Sequence, residues 1–127
     1  VQEAENADIK INIDIALPNE ISIKDADLTV LFGNLIENAI DACENVQKDK
    51  RSIELKIHRP NAGSIVFSID NTFDGNIKMS GNKFLSTKQN GSGIGIESAK
   101  YVVEKYNGDM KIEINDNKFC VSGVLLQ

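Results

Sequence analysis

Positive charge, cysteine, histidine and long apolar runs are all scarce in this sequence of 127 residues. Lys and Arg number 14 against 19 Asp and Glu, a formal net charge of -5. A domain that neutralises phosphates along a duplex is usually basic, so DNA and RNA are poor partners for this chain. A small phosphorylated ligand stays open, because a cation and a few backbone amides can neutralise a triphosphate locally whatever the net charge. Cys43 and Cys120 show no CxxC or other metal spacing, which argues against a thiolate metal site and reads as free thiols in a reducing compartment. No run approaches the ~18 apolar residues of a membrane span, and nothing reads as a secretion signal. There are no internal repeats and no low-complexity segments. The chain starts at Val1 and enters a strand pattern within a few residues, which suggests a piece cut from a longer protein.

What is present is enough for one core, with 41% hydrophobic residues. Ile9, Ile11, Ile13 and Ile15 alternate with Lys10, Asn12 and Asp14, the pattern of a half-buried strand. From Leu28 the spacing becomes helical through Leu31, Phe32, Leu35, Ala39, Ala42 and Cys43, with Asp25 or Asp27 as N-cap. Ile53, Leu55 and Ile57 alternate, Pro60, Asn61 and Gly63 turn, and Ile65, Phe67 and Ile69 alternate again, a hairpin. Residues 72–92 lose all periodicity and form a connection longer than a compact domain normally tolerates, which reads as a mobile lid. Helical spacing resumes from Gly93 to Tyr106, with Asn107-Gly108 as its stop, and a second hairpin closes the chain. One helix layer on the apolar face of a mixed, mostly antiparallel sheet satisfies both kinds of stripe, an α+β, two-layer sandwich occupying residues 1–127.

Polar residues interrupt this pattern in four places. Asn34, Asn38 and Asp41 line one stripe at the edge of the first helix's apolar face, where an amide oxygen can meet a hard cation. Gly91-Ser92-Gly93-Ile94-Gly95 stands where the second helix begins. Alternate glycines let the backbone approach a bulky anion, and the helix start adds free N–H groups. No GK[ST] follows and GxGxxG is incomplete, so neither the Walker A loop nor the dinucleotide fingerprint applies. Ser86-Thr87-Lys88 precedes those glycines with two hydroxyls and an ammonium. Asp70-Asn71 ends a strand, with Asn71 on the apolar face and Asp70 on the other. Taken singly, each also fits a plain structural use: a solvated helix face, a hinge, an exposed lysine.

Together and in this order these residues resemble the GHKL superfamily of DNA gyrase B, the heat-shock chaperone ATPases, histidine kinases and MutL. NLIENAIDA is similar to the N box, SIDN to the start of the G1 box, FLSTK to the F box of histidine kinases and GSGIGI to the G2 box. The resemblance implies a Bergerat-type fold that binds ATP and Mg²⁺, with Asn38 as the metal ligand, Asn34 beside the phosphates and Asp41 among the nucleotide-binding residues. It places Lys88 at the γ-phosphate, Ser86, Thr87, Ser92 and Ile94 around the nucleotide, and the amides of Gly91, Gly93 and Gly95 as a cradle. The G1 box departs from the usual DxGxG: its glycines look absent, and either Asp70 or Asn71 can align with the adenine-reading aspartate. Parity favours Asn71.

In gyrase B and MutL the position of Asn34 is a glutamate that activates water, and an amide cannot act as that base. Glu37 lies about 60° away around the helix and does not replace it. Transfer to an imidazole needs no such base, so the expected activity is that of a protein-histidine kinase, with Asn34 and Lys88 at the reaction; an ATPase switch of the gyrase B or MutL kind and a degenerate, non-catalytic nucleotide-binding domain are the alternatives. The nearest resemblance is to the accessory-gene-regulator type of peptide quorum-sensing kinase. That implies an upstream dimerisation domain bearing the phosphoacceptor histidine, a membrane sensor, a cytoplasmic catalytic domain and a response regulator. The full-length protein is then a homodimer and the isolated domain a monomer. His58 sits on the polar side of its strand and is read as a surface residue, not the acceptor.

Overall fold

A computed structural model describes residues 8–18, 21–75, 78–80, 83–85 and 94–127. Its elements are β1 (Lys10–Ala16), α1 (Asp25–Cys43), a short 3-10 turn (Lys48–Lys50), β2 (Ser52–Asn61), β3 (Ser64–Thr72), β4 (Lys78–Ser80), β5 (Lys83–Leu85), α2 (Ile94–Lys105), β6 (Asp109–Asn115) and β7 (Lys118–Leu126). Five strands form one sheet in the order β1-β2-β3-β7-β6, with β1 parallel to β2 and the other neighbours antiparallel. A parallel neighbour needs a crossover, and α1 supplies it. The expected α+β sandwich is the observed fold.

Alternation decides the layers. Ile53, Leu55 and Ile57 of β2, Ile65, Phe67 and Ile69 of β3, and Val121 and Leu125 of β7 are buried on one face. Leu31, Leu35, Ala39, Ile40 and Cys43 of α1 and Ile96, Ala99, Val102 and Val103 of α2 cover them. The Phe32 ring meets Phe67 edge-on at 5.5 Å. The isoleucine row of β1 lies on this face, as its register with Leu55 and Ile57 requires, but the helices do not reach its far end. Ile9 is buried, whereas Ile13 and Ile15 are 46% and 54% exposed. The expected half-buried strand is therefore covered only at its start.

Three local details differ from the sequence reading. α1 begins earlier than Leu28: Lys24 is its N-cap without a side-chain cap bond, and Asp25 and Asp27 lie inside the first turn, where carboxylates favour the helix dipole. Residues 78–80 and 83–85, within the expected lid, pair as two short antiparallel strands. Strands of three residues are too short to display a period. At the end of α2 it is Asn107, not Gly108, that turns left-handed, with φ 57°. Its N–H donates to Glu104 O at 3.0 Å and that of Gly108 to Val103 O at 2.9 Å, the paired bonds of a Schellman cap. Position 108 needs glycine for another reason: a Cβ there would stand 1.8 Å from Val124 O. A Cβ on Gly123, which faces Phe67 across the ladder, would stand 2.6 Å from that ring's Cζ.

The two helices run antiparallel. At one end Tyr106 Oη donates to Asp27 Oδ2 in a short hydrogen bond, Lys105 Nζ lies 3.1 Å from the same oxygen, and Lys24 N–H donates to Tyr106 Oη at 3.2 Å. At the other end Gly95 packs on Asn34. Arg51 closes the C-terminal end of α1 by donating to Glu44 O and Val46 O.

Two tests follow from this packing. Gly108→Ala and Gly123→Ala should each cost about 1–3 kcal/mol through overpacking. Gly33→Ala, in mid-helix with nothing within 4 Å of the added Cβ, should stabilise the domain by up to about 1 kcal/mol. Urea unfolding of the three variants measures both signs. The Tyr106 hydroxyl and the Lys105 ammonium hold Asp27 below its ordinary value of 3.8. A depressed carboxylate stabilises the fold above its unfolded value and loses that contribution as pH falls through the folded one. Asp27→Asn should accordingly lower Tm at pH 7, and the gap to the wild type should close as pH falls below 3.8. A gap that persists there would detach the effect from the charge.

Candidate functional site

The polar stripe of α1 runs from the start of α2 toward the end of β3. Asn34 is half-buried, and its Nδ2 donates to Val30 O one turn back at 2.7 Å. That bond leaves Oδ1 facing the start of α2: a Cβ on Gly95 would lie 3.6 Å from it, in ordinary contact. The side chain is thus held beside the start of a helix, whose first N–H groups have no partner within the helix and whose dipole end is positive, where an anion is favoured. Glu37 is exposed and stands about 60° round the helix from Asn34.

Asn38 follows by one turn and is half-buried, with no side-chain hydrogen bond to another described residue. Asp41 is half-buried one turn further. Among the described residues no group of three or more His, Cys, Asp or Glu side chains could hold a metal by itself. The donors present fit a cation that keeps most of its ligands on phosphate and water, since Mg²⁺ at a nucleotide takes only one or two oxygens from the protein. The Asn38 amide oxygen would be that ligand.

The last turn of α1 abuts the end of β3. Cys43 Sγ is buried 3.5 Å from both Thr72 O and Thr72 Oγ1, and Thr72 Oγ1 accepts from Ser52 N–H at 3.1 Å. Thr72 is a fixed point that the sequence did not flag, because a threonine at a strand end carries no pattern. Beside it, Asn71 is the one buried polar side chain among the described residues, 1% exposed between Ile53 and Phe119 in the ladder. Its Nδ2 donates to Thr72 O at 3.0 Å. That bond fixes the orientation of the amide and leaves its oxygen as an acceptor. Asp70 is on the other face, between Glu54 and Cys120. There burial and the Asp70 carboxylate push the Cys120 thiol up to about 11, so this cysteine holds almost no thiolate near neutrality. Of the two alignments, only Asn71 lies under the helices.

Counting from Asn71 also revises the reading of the glycines. The fifth position of the box is Gly75, which adopts φ 88°, a left-handed conformation that suits glycine. Only the middle glycine is replaced, by Phe73. That ring is buried and meets Phe119 edge-on at 5.9 Å, while its N–H donates to Asn117 O at 2.9 Å. The aromatic side chain is spent on tying the exit of β3 to the β6–β7 turn. Ser86, Thr87, Lys88, Gly91, Ser92, Gly93 and the side chain of Ile94 lie outside the described residues. His58 is exposed, as its parity requires.

Known structures share this architecture. The catalytic domain of the histidine kinase ThkA, in a nucleotide-free form, matches with a TM-score of 0.69 and 18% identity over 98% of this chain and 83% of its own. The mycobacterial sensor histidine kinase MprB matches with a TM-score of 0.72 and 16% identity over 98% and 91%. Full-length ShkA in complex with AMPPNP matches with a TM-score of 0.70 and 16% identity over 97% of this chain and 26% of that one. At these identities the likeness is one of fold. A comparison with curated proteins gives no match. The sequence model of the GHKL domain covers residues 23–127, from the residue before α1's N-cap to the end of the chain, and on that match the chain belongs to the GHKL domain family.

Proposed function

We propose that this domain binds Mg-ATP and transfers the γ-phosphoryl to a histidine on a separate dimerisation domain. The observation that carries the proposal is the junction of Asn34 with Gly95 at the start of α2. It offers an anion-favouring helix end with an amide beside it at the position where the gyrase B and MutL relatives carry a base. The triphosphate lies along the N-terminus of α2, with the amides of Gly91, Gly93 and Gly95 around it and Lys88 at the γ-phosphate. Bound at Asn38, Mg²⁺ would offset charge on the phosphates. Asn71 accepts from the adenine amino group through Oδ1, since its nitrogen is already engaged by Thr72 O. A neutral acceptor gives up the strength of a charged one, so the affinity for ATP is lower than in relatives with aspartate.

Transfer is favoured over hydrolysis because Asn34 cannot take a proton from water and Glu37 is exposed. An imidazole acceptor supplies its own lone pair, and positioning with charge stabilisation does the rest. The acceptor lies outside these residues, since His58 is the single histidine and lies on the open face of the sheet. The motif set further supports a cytoplasmic catalytic domain of a membrane-bound, peptide-sensing quorum kinase of the accessory-gene-regulator type, acting through a response regulator as a full-length homodimer.

Mixing the domain with a separately prepared dimerisation domain and ATP labelled at the γ-phosphate should place label on the acceptor histidine. Free phosphate released without acceptor would count against the kinase. By calorimetry Asn38→Ala should weaken Mg-ATP by about tenfold or more, roughly 1.4 kcal/mol. Unchanged binding would remove Asn38 from the metal. Asn71→Ala should cost about 1 kcal/mol against ATP, close to fivefold, and much less against inosine triphosphate, which lacks the amino group. Equal losses for both nucleotides would show that Asn71 does not read the base.

A further inference from the structure

We propose that β1 is a self-association edge, at which two copies of this chain pair antiparallel about Asn12 and join their sheets. The surface is unfinished in two ways. β1 ends the strand order, so one of its sides has no partner among the described residues, and Ile13 and Ile15 are left 46% and 54% exposed. An open edge beside exposed apolar side chains is a template for another strand.

Backbone geometry restricts the register. Lys10 N–H donates to Arg51 O at 3.1 Å, so the polar backbone groups of Lys10, and by alternation those of Asn12 and Asp14, turn toward β2. Those of Ile9, Ile11, Ile13 and Ile15 turn to the free side. An antiparallel pair must therefore set isoleucine against isoleucine. Three registers do so near the middle of the strand, centred on Ile11, Asn12 or Ile13.

Charge selects among them. Centred on Asn12, Lys10 of each copy faces Asp14 of the other on the open face of the sheet. On the opposite face Ile11 faces Ile13, and Ile9 faces Ile15. Centred on Ile11, Asp14 would face Asp8. Centred on Ile13, Lys10 would face Ala16 and Asp14 would face Asn12, with no ion pair. The Asn12 register alone pairs both charges and covers both exposed isoleucines, and opposite charges across an antiparallel pair favour it while like charges oppose it. Asp8, with φ 59°, and Pro18 after the strand end the pairing on either side. The partner is thus a second copy, in departure from the expected monomer. This surface owes nothing to the nucleotide site, and failure of ATP to bind would leave it standing.

The test is the mass of the 127-residue chain in solution. Sedimentation equilibrium from about 10 μM to about 1 mM, a range that reveals weak pairing, should show the average mass rising toward twice the monomer. Lys10→Asp and Asp14→Lys singly should hold it at the monomer, and the two together should restore the rise. Asn12→Cys places two sulfurs across a non-hydrogen-bonded pair with Cα atoms about 4.5 Å apart, within disulfide range, and oxidation should give a covalent dimer. Cys43 is buried and Cys120 carries its raised thiol, so neither competes well. A wild type that stays monomeric throughout would overturn the proposal, as would a dimer indifferent to the charge swaps that does not cross-link through position 12.

Discussion

Two helices have to cover the apolar face of a five-stranded sheet, and they can do so only by lying side by side. The contact between α1 and α2 is the constraint on which the rest depends. Antiparallel packing, held at one end by Asp27, Lys105 and Tyr106, delivers the start of α2 to Asn34 at the other. The last turn of α1 then reaches Thr72 through Cys43, which sets the polar stripe of the helix beside the buried Asn71. The same arrangement leaves the sheet edges short of cover. Ile13 and Ile15 on β1 and Ile114 on β6 stay exposed because each helix layer is only as wide as its members.

An acidic chain that binds a polyanion must arrange its local field against its net charge. In the proposed site the amides of Asn34, Asn38 and Asn71 and the beginning of α2 would do this, although α2 carries Glu97 in its first turn. Asp41 is the carboxylate on the stripe, one turn beyond the proposed metal ligand. In the proposed reaction the amide at Asn34 has a second effect, since it offers no proton acceptor for hydrolysis while keeping a polar group beside the start of α2. Phe73 follows a similar economy. It occupies a glycine position of the G1 box yet turns its ring onto Phe119, so the departure stabilises the sheet end, while Gly75 keeps the backbone turn.

Most of the fold was legible because its signals are periodic. Alternation in β2 and β3 and the helical stripe of α1 named the buried faces directly. Parity also separated Asn71 from Asp70 before any geometry was known. Features that depend on distant chain segments left no local trace. The parallel placement of β1 at an edge, and so the exposure of Ile13 and Ile15, follows from sheet order and not from the strand's own pattern. The bond from Tyr106 to Asp27 joins residues at opposite ends of the sequence. Gly108 looked like a cap glycine, but Asn107 takes the left-handed turn and Gly108 answers to the carbonyl of Val124. Gly75 stands at the last position of the box counted from Asn71, and its left-handed turn shows only in the backbone.

The central claim is that one surface, spanning the α1 stripe, the start of α2 and the end of β3, receives the nucleotide. Amide chemical shifts of the ¹⁵N-labelled domain, recorded as Mg²⁺ and a non-hydrolysable ATP analogue are added, test it most directly. The account predicts that the signals of Asn34, Asn38, Asp41, Asn71 and Gly95 move together along one binding curve, side-chain amides included, while Lys111 and Ser122 on the open sheet face stay in place. Shifts centred on that open face, or none at saturating nucleotide, would contradict it.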